Sequence, residues 1–226
     1  MYGKVKVTKR QIKEDKFTTF MLSSREQFQE NWQFIAIGII VVILIAVGAT
    51  YYFANRTAAV AESSEQYSRA LLEYRSGNTQ LAILSLSQLL ETQSVGVQAQ
   101  HATFLLGKIN FESRNYAEAI RYYQLYLDKF HDNLHERAAV HAGIAASEEN
   151  QGNYQQAAEE FVAACDEYPD GPQLGDYAYG AMRNFLLVGD AAQAEQHLDV
   201  IKDKFRGTDL EIRAERLFSE KSRTPL

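Results

Sequence analysis

A turn pattern recurs four times along this chain at nearly constant intervals. It consists of Gly or Arg, then Asn or Asp, with an Ala five residues after the first position, and it begins at Gly77, Arg114, Gly152 and Gly189. The steps between these residues are 37, 38 and 37 residues. A fixed period of this size indicates a stack of similar helical or strand units, so the repeat constrains the fold class before any local prediction does.

Each repeat is predicted to contain two amphipathic helices joined by this turn. In the second copy, apolar residues spaced three and four apart form one stripe over residues 100–113 and another over 116–130. This spacing is typical of helices that bury one face. Gly and Asn accept the left-handed conformation that ends a helix, and the small Ala allows the two helices to approach closely. The predicted fold class is therefore all-α.

The repeats resemble the tetratricopeptide repeat (TPR) family. The residues that carry the resemblance are Gly107, Tyr116, Ala119 and Tyr123 in the second copy, and Gly152, Tyr154, Ala157, Phe161 and Pro169 in the third. The period exceeds the usual 34 residues of the family, and one copy keeps the final Pro. The resemblance implies a helix-turn-helix solenoid of about four repeats at 63–99, 100–137, 138–174 and 175–207. A non-repeating helical bundle is the alternative.

The last segment, residues 208–226, is predicted to be a capping helix and tail. Thr208 and Glu211 have the spacing of a capping box, and the following residues are mostly charged apart from one apolar edge. A terminal helix with a polar outer face is what a solenoid needs to close its open end.

An uncharged stretch of 21 residues, Phe34 to Ala54, is long enough to cross a membrane. We predict a transmembrane helix over residues 32–54, preceded by a basic segment (1–31) and followed by a linker (55–62). Seven Lys or Arg precede the stretch, which predicts a cytoplasmic N-terminus and repeats on the outer side of the inner membrane, in the periplasm of a two-membrane bacterium. A signal peptide cleaved near Ala59-Val60-Ala61 is the alternative.

The charges on either side of this stretch limit the partners. From residue 57 onward there are 15 basic and 25 acidic residues, a net charge of −10, which argues against nucleic-acid binding.

The N-terminal segment is either an interfacial helix or a poorly ordered basic tail. As an interfacial helix it would carry Ile12, Phe17, Phe20, Met21 and Phe28 near one face.

Residues that carry chemistry are sparse. We find no phosphate-binding Gly loop, nucleophile elbow or CxxC pair in the sequence. His131 and His135 are four residues apart, but they straddle a turn between repeats, so no metal site is predicted. Cys165 is interpreted as a buried thiol. We therefore expect no enzyme activity and no cofactor.

The resemblance implies a concave groove lined by the first helix of each repeat. On that basis the partner-binding residues are expected to be aromatic and apolar side chains with two cations, above an alanine floor at Ala139, Ala142 and Ala146. Aromatic residues with isolated charges are typical of protein-binding surfaces. The alternative is that several of these rings pack against an adjacent repeat or the capping helix. The predicted groove residues are Tyr67, Leu71, Tyr74, His101, Phe104, Lys108, Phe111, Tyr179 and Arg183.

The overall layout resembles the YfgM-like inner-membrane proteins, single-span TPR proteins that accompany the Sec translocon and periplasmic chaperones. This resemblance implies a membrane-tethered adaptor that binds protein partners or clients outside the cytoplasm. A permanent structural subunit of a larger membrane complex is the second hypothesis.

Overall fold

A computed structural model describes the backbone of residues 9–221 and the side chains of residues 32–34 and 36–221. This part of the chain is all-α, with nine helices. In order they are α1 (Lys9–Arg75), α2 (Thr79–Thr92), α3 (Val97–Glu112), α4 (Tyr116–Lys129), α5 (Leu134–Gln151), α6 (Tyr154–Glu167), α7 (Leu174–Leu187), α8 (Ala191–Lys204) and α9 (Asp209–Lys221). The all-α class and the TPR-like solenoid predicted from the repeats are confirmed.

The chain divides into two compact units, Met1–Val60 and Ala61–Leu226, and α1 contributes to both. Residues 55–62, which we expect to act as a linker, are helical. The boundaries predicted between segments stay predictions. The face predicted to carry Ile12, Phe17, Phe20, Met21 and Phe28 lies outside the described side chains.

The apolar part of α1 has the length and composition of a membrane-spanning helix. The candidate span, Trp32–Arg75, contains an 18-residue window of mean hydropathy 2.7, and none of that window is buried. Its large apolar side chains are exposed, including Ile37, Val42, Leu44 and Ile45. This exposure distinguishes the window from a helix buried in the core of a protein.

All four predicted turns have the same hydrogen bonding. In the third repeat, the Gly152 amide donates to the Glu149 carbonyl and the Asn153 amide to the Glu148 carbonyl, and the other three turns repeat both bonds. The first residue of each turn is left-handed, with φ of 85° at Gly77, 83° at Gly152 and Gly189, and 63° at Arg114. Glycine adopts this conformation freely, whereas Arg114 does so against the preference of a side chain.

Each turn is followed by an alanine at the crossing of the two helices. Ala82, Ala119, Ala157 and Ala194 are all completely buried. Four residues further on, a large apolar side chain fills the core of each repeat: Leu86, Tyr123, Phe161 and Leu198. Close approach at the alanine brings these side chains into contact with the neighbouring helices.

The aromatic members of this set pack directly on glycines of the first helices. A Cβ added at Gly143 of α5 would lie 2.6 Å from the Tyr123 ring, and one at Gly107 of α3 would lie 2.5 Å from it. Phe161 meets Gly180 of α7 in the same way, at 2.8 Å. Aromatic rings set on bare helix backbone therefore join successive repeats.

Helix α9 closes the last repeat, as predicted for a capping helix. Ala214 is buried, and Leu210, Leu217 and Phe218 pack against the last hydrophobic cluster. The start of α9 is capped in two ways: the Thr208 hydroxyl accepts from the Glu211 amide at 3.5 Å, and the Glu211 carboxylate accepts from the Gly207 amide at 2.6 Å. The carboxylate thus caps one residue earlier than a standard capping box.

Candidate binding groove

The first helices of the four repeats are residues 61–75 of α1, α3, α5 and α7. Nine predicted groove residues lie on these helices. Lys108 is exposed and the other eight are partly buried, so all nine keep some accessible surface. Neighbours on the opposite side of the same helices, such as Ala70, Ala102 and Ala145, are fully buried. The partly accessible strip formed by the nine predicted residues is called the groove strip below.

Between α1 and α3 the groove strip contains two groups of contacts. The rings of Tyr67 and His101 lie 5.8 Å apart between centroids. The Tyr74 hydroxyl donates to the Glu112 carboxylate at 2.6 Å, and Lys108 Nζ lies 6.0 Å from the centre of the Tyr74 ring. Burial and the bond to Glu112 raise the pKa of Tyr74 to about 12, so the phenol stays protonated and donates at neutral pH. The structure therefore brings these residues together on one surface.

Phe104 and Phe111 take a different position from the other groove residues. The Phe104 ring lies 6.2 Å from the rings of Tyr123 and Tyr126, and Phe111 lies 5.7 Å from Tyr116. Both phenylalanines are partly buried against the core of the second and third repeats. Their role in partner binding stays a prediction, and the structure adds a packing role that the alternative in the sequence analysis described.

A polar cluster joins α3 to α5 beside His101. The Tyr126 hydroxyl donates to the Glu136 carboxylate at 2.6 Å, and Gln100 donates to both Tyr126 and Glu136, at 2.7 and 3.1 Å. Glu136 is held at the start of α5 because its amide donates to the Asn133 side chain. Sequence reasoning missed this cluster, although the Asn133-x-x-Glu136 spacing of a capping box was a signal for it.

The far part of the groove strip lies on α5 and α7. Ala139, Ala142 and Ala146 of α5, the predicted floor of the groove, are partly accessible. Arg183 donates twice to the Glu149 carboxylate, at 2.8 and 2.6 Å, and its guanidinium lies 5.8 Å from the centre of the Tyr179 ring. The charge of Arg183 is thus paired within the protein. Lys108 Nζ lies 3.9 Å from the Glu112 carboxylate, and both side chains are about half exposed.

The described residues contain no group of three or more His, Cys, Asp or Glu side chains that could hold a metal ion. His131 lies 3.3 Å from Arg137, and His135 packs edge-on against Tyr168. Cys165 is partly buried, and burial raises the pKa of its thiol to about 12. A shallow cavity of about 350 Å³ lies at the turn before α4, lined by Arg114 to Glu118 and Gln151.

The sequence model of the tetratricopeptide repeat-like domain matches residues 25–169. This chain belongs to that TPR-like family. The match covers the apolar stretch of α1 as well as the repeats up to the end of α6. TPR domains typically bind proteins or peptides rather than catalyse reactions. A comparison with curated proteins finds no match.

Solved structures of other proteins share the fold. A TPR protein from Parabacteroides merdae ATCC 43184 superposes with a TM-score of 0.61 at 15% identity, over 70% of this chain and 59% of that protein. The chain thus spans less than two thirds of that relative. MamA (residues 41 to the end) from Desulfovibrio magneticus RS-1 superposes with a TM-score of 0.52 at 13% identity, over 65% of this chain and 77% of that chain. Identities this low show the fold alone.

Proposed function

We propose that this chain is a non-enzymatic, membrane-tethered TPR adaptor that holds protein partners or clients in the groove strip. The observation that carries the proposal is the row of accessible aromatic side chains across α1 and α3, Tyr67, Tyr74 and His101, with Lys108 beside them. Aromatic residues flanked by isolated charges are enriched where proteins bind one another. TPR-like structures present such surfaces to other molecules.

Tethering is supported by the exposed apolar window of α1 and by the family match, which begins at residue 25 and so includes that window. The seven basic residues before Phe34 favour a cytoplasmic N-terminus and an extracytoplasmic TPR domain. A reporter that functions only in the cytoplasm, fused after Leu226, is expected to be silent. Reporter activity would reverse the proposed orientation.

The groove is tested by comparing aromatic substitutions inside and outside it. Tyr67→Ala combined with Tyr74→Ala is expected to weaken capture of partners from detergent-solubilised membranes at least about tenfold, since each ring at a binding hot spot contributes more than about 1 kcal/mol. Lys108→Glu reverses an exposed charge without touching the core and is expected to weaken capture as well. Tyr154→Ala, on an exposed residue of α6, is the matched control and is expected to leave capture unchanged.

Two outcomes would contradict the groove assignment: equal loss with Tyr154→Ala, or full capture by the Tyr67/Tyr74 variant. Melting temperatures of all variants separate loss of binding from loss of fold, because both tyrosines also touch the core of the first repeat.

The same capture experiment separates the adaptor from its alternative, a permanent structural subunit of a larger complex. An adaptor is expected to recover many partners in substoichiometric amounts, and a fixed subunit to recover one partner at a constant ratio. The resemblance in layout to YfgM-like proteins supports the Sec translocon and periplasmic chaperones as partners of the adaptor. Absence of translocon subunits and chaperones from the captured set would remove that part of the proposal.

A further inference from the structure

The four repeats allow each position to be compared with its equivalents in the same molecule. Leu72 lies five residues before the turn of the first repeat, and its equivalents are Ile109, Ser147 and Asn184. Those three side chains are 0% exposed, whereas Leu72 is 68% exposed. Ile109 is buried in one cluster with residues of α2, the second helix of the preceding repeat. The equivalent of Leu72 in the second repeat is thus covered by the second helix of the preceding repeat, and the equivalents in the third and fourth repeats are buried.

Two further leucines of the first repeat occupy positions that are polar in the other three. Leu81 is 48% exposed and Leu84 is 63% exposed. Their equivalents are Glu118 and Arg121 in the second repeat, Gln156 and Glu159 in the third, and Gln193 and Gln196 in the fourth. All six equivalents are exposed. The Glu118 and Arg121 side chains form an ion pair at 2.8 Å, as expected of a solvated face.

Leu72 lies at a position of α1 whose equivalents are buried in the other repeats, and Leu81 and Leu84 lie on α2 at positions that stay exposed in the other repeats. Ser85, one turn beyond Leu81, donates to Glu73, the neighbour of Leu72, at 2.8 Å, which places α2 beside this part of α1. The equivalent of Ser85 in the second repeat is Tyr122, which packs against the cluster of the preceding repeat. Leu72, Leu81 and Leu84 are called the leucine edge below.

We propose that the leucine edge is an interface between two copies of this chain. The edge is self-complementary: it offers an uncovered first-helix position, Leu72, and next to it a second helix with two additional leucines. A twofold axis would place α2 of each copy over Leu72 of the other, as α2 covers the equivalent Ile109 inside the solenoid. Nearby charges are of both signs, with Glu65 and Arg69 paired at 3.3 Å, so two copies can meet without a single-sign repulsion.

The size of the leucine edge predicts how strong this association is. Three partly exposed leucines bury less than the roughly 1,200 Å² of a stable interface, so the contact alone is weak. Two copies held in one membrane have a far higher effective concentration, which makes a weak contact sufficient. This step rests on the membrane tether of the proposed function.

The test uses the purified full chain reconstituted alone into phosphatidylethanolamine/phosphatidylglycerol vesicles, in a Cys165→Ser background. Gln80→Cys places a reporter beside Leu81, and Gln155→Cys places a matched reporter at the equivalent exposed position of the third repeat. With a membrane-permeant bis-maleimide, we expect Gln80→Cys to give an adduct of twice 25.6 kDa at least about tenfold more than Gln155→Cys. Adding L81E and L84R, the pair found in the second repeat, is expected to reduce this adduct at least about tenfold while helix content is unchanged.

Equal cross-linking at both reporters, no adduct, or an adduct insensitive to L81E/L84R would overturn the proposal. So would an adduct of another mass in native membranes, because a different protein would then occupy the edge. Carbonate extraction of the vesicles tests the tether separately. If carbonate releases the chain, the same variants are cross-linked free in solution at high concentration, where sensitivity to L81E/L84R still supports the interface and its absence refutes it.

Discussion

Replacing Gly143 with alanine should weaken the contact between the second and third repeats. The added Cβ would lie 2.6 and 2.7 Å from two atoms of the Tyr123 ring, where ordinary contacts are 3.4–4 Å. The ring cannot retreat, because its other side meets Gly107 of α3 just as closely. We therefore expect the overpacking to destabilise the fold by about 3 kcal/mol, the upper part of the usual range. Alanine recovers about 1 kcal/mol of helix propensity, which leaves a net loss of about 2 kcal/mol.

The ring itself provides the control. The first and fourth repeats carry leucine at the position of Tyr123, namely Leu86 and Leu198, so Tyr123→Leu introduces a side chain that this fold already uses. In that background the overlap disappears, and Gly143→Ala should stabilise by up to about 1 kcal/mol through helix propensity. The free energies of unfolding of the four proteins are measured by chemical denaturation of fragment 61–226. Equal destabilisation in both backgrounds would refute the argument, because Gly143 would then be required for a reason other than the ring.

Three further predictions concern single side chains of the repeats. Arg114→Gly should stabilise the fragment by roughly 1 kcal/mol, since the left-handed backbone at φ 63° then carries no Cβ; a neutral or destabilising result in denaturant titration would contradict this. Cys165 should react with a maleimide at pH 8 far more slowly in the native than in the denatured protein, because burial raises its pKa to about 12; equal rates would show that the thiol is accessible. Burial also lowers the pKa of His197, which stacks on Phe185. The stability that neutral His197 contributes is therefore present above about pH 6.5 and is lost as the pH falls through its folded-state pKa. The melting temperature of His197→Phe should depend less on acid pH, and identical pH profiles for variant and wild type would contradict the assignment.

The repeat architecture was predictable because local rules determine it. A residue at positive φ followed by Asn or Asp ends one helix and starts the next, and a small residue at the crossing is needed for close approach. Both requirements are met by particular residue types at fixed spacing in the sequence, as in Gly152, Asn153 and Ala157. The rings set on glycine are less evident from sequence, because Tyr123 and Gly143 belong to different repeats and have no fixed local spacing.

The groove was predictable only in part, for a geometric reason. A helical period of 3.6 residues assigns a side chain to a broad face, and residues at the border of that face turn toward the core or the groove according to the crossing angle with the next helix. Phe104 and Phe111 are border residues of this kind, and they contact the rings of Tyr123, Tyr126 and Tyr116. Local spacing cannot resolve that choice.

Polar pairs one repeat apart link the first helices along the groove side. Ser64 accepts from Gln98, Glu136 accepts from Gln100, and Glu149 accepts from Arg183. These bonds join α1 to α3, α3 to α5 and α5 to α7, so they hold the spacing of the helices before any partner arrives, which reduces the ordering cost of binding.

This pairing changes which cation can orient a partner. Arg183 makes two short bonds to Glu149, and a partner carboxylate would have to displace that side chain and leave its charge unpaired. Lys108 lies 3.9 Å from Glu112, and both side chains are about half exposed. A pair this exposed contributes less than about 1 kcal/mol, so the Lys108 ammonium stays available to a partner. Of the two cations in the groove strip, we therefore expect Lys108 to determine the polarity of a bound segment, with its acidic end over α3 beside the Tyr74 ring.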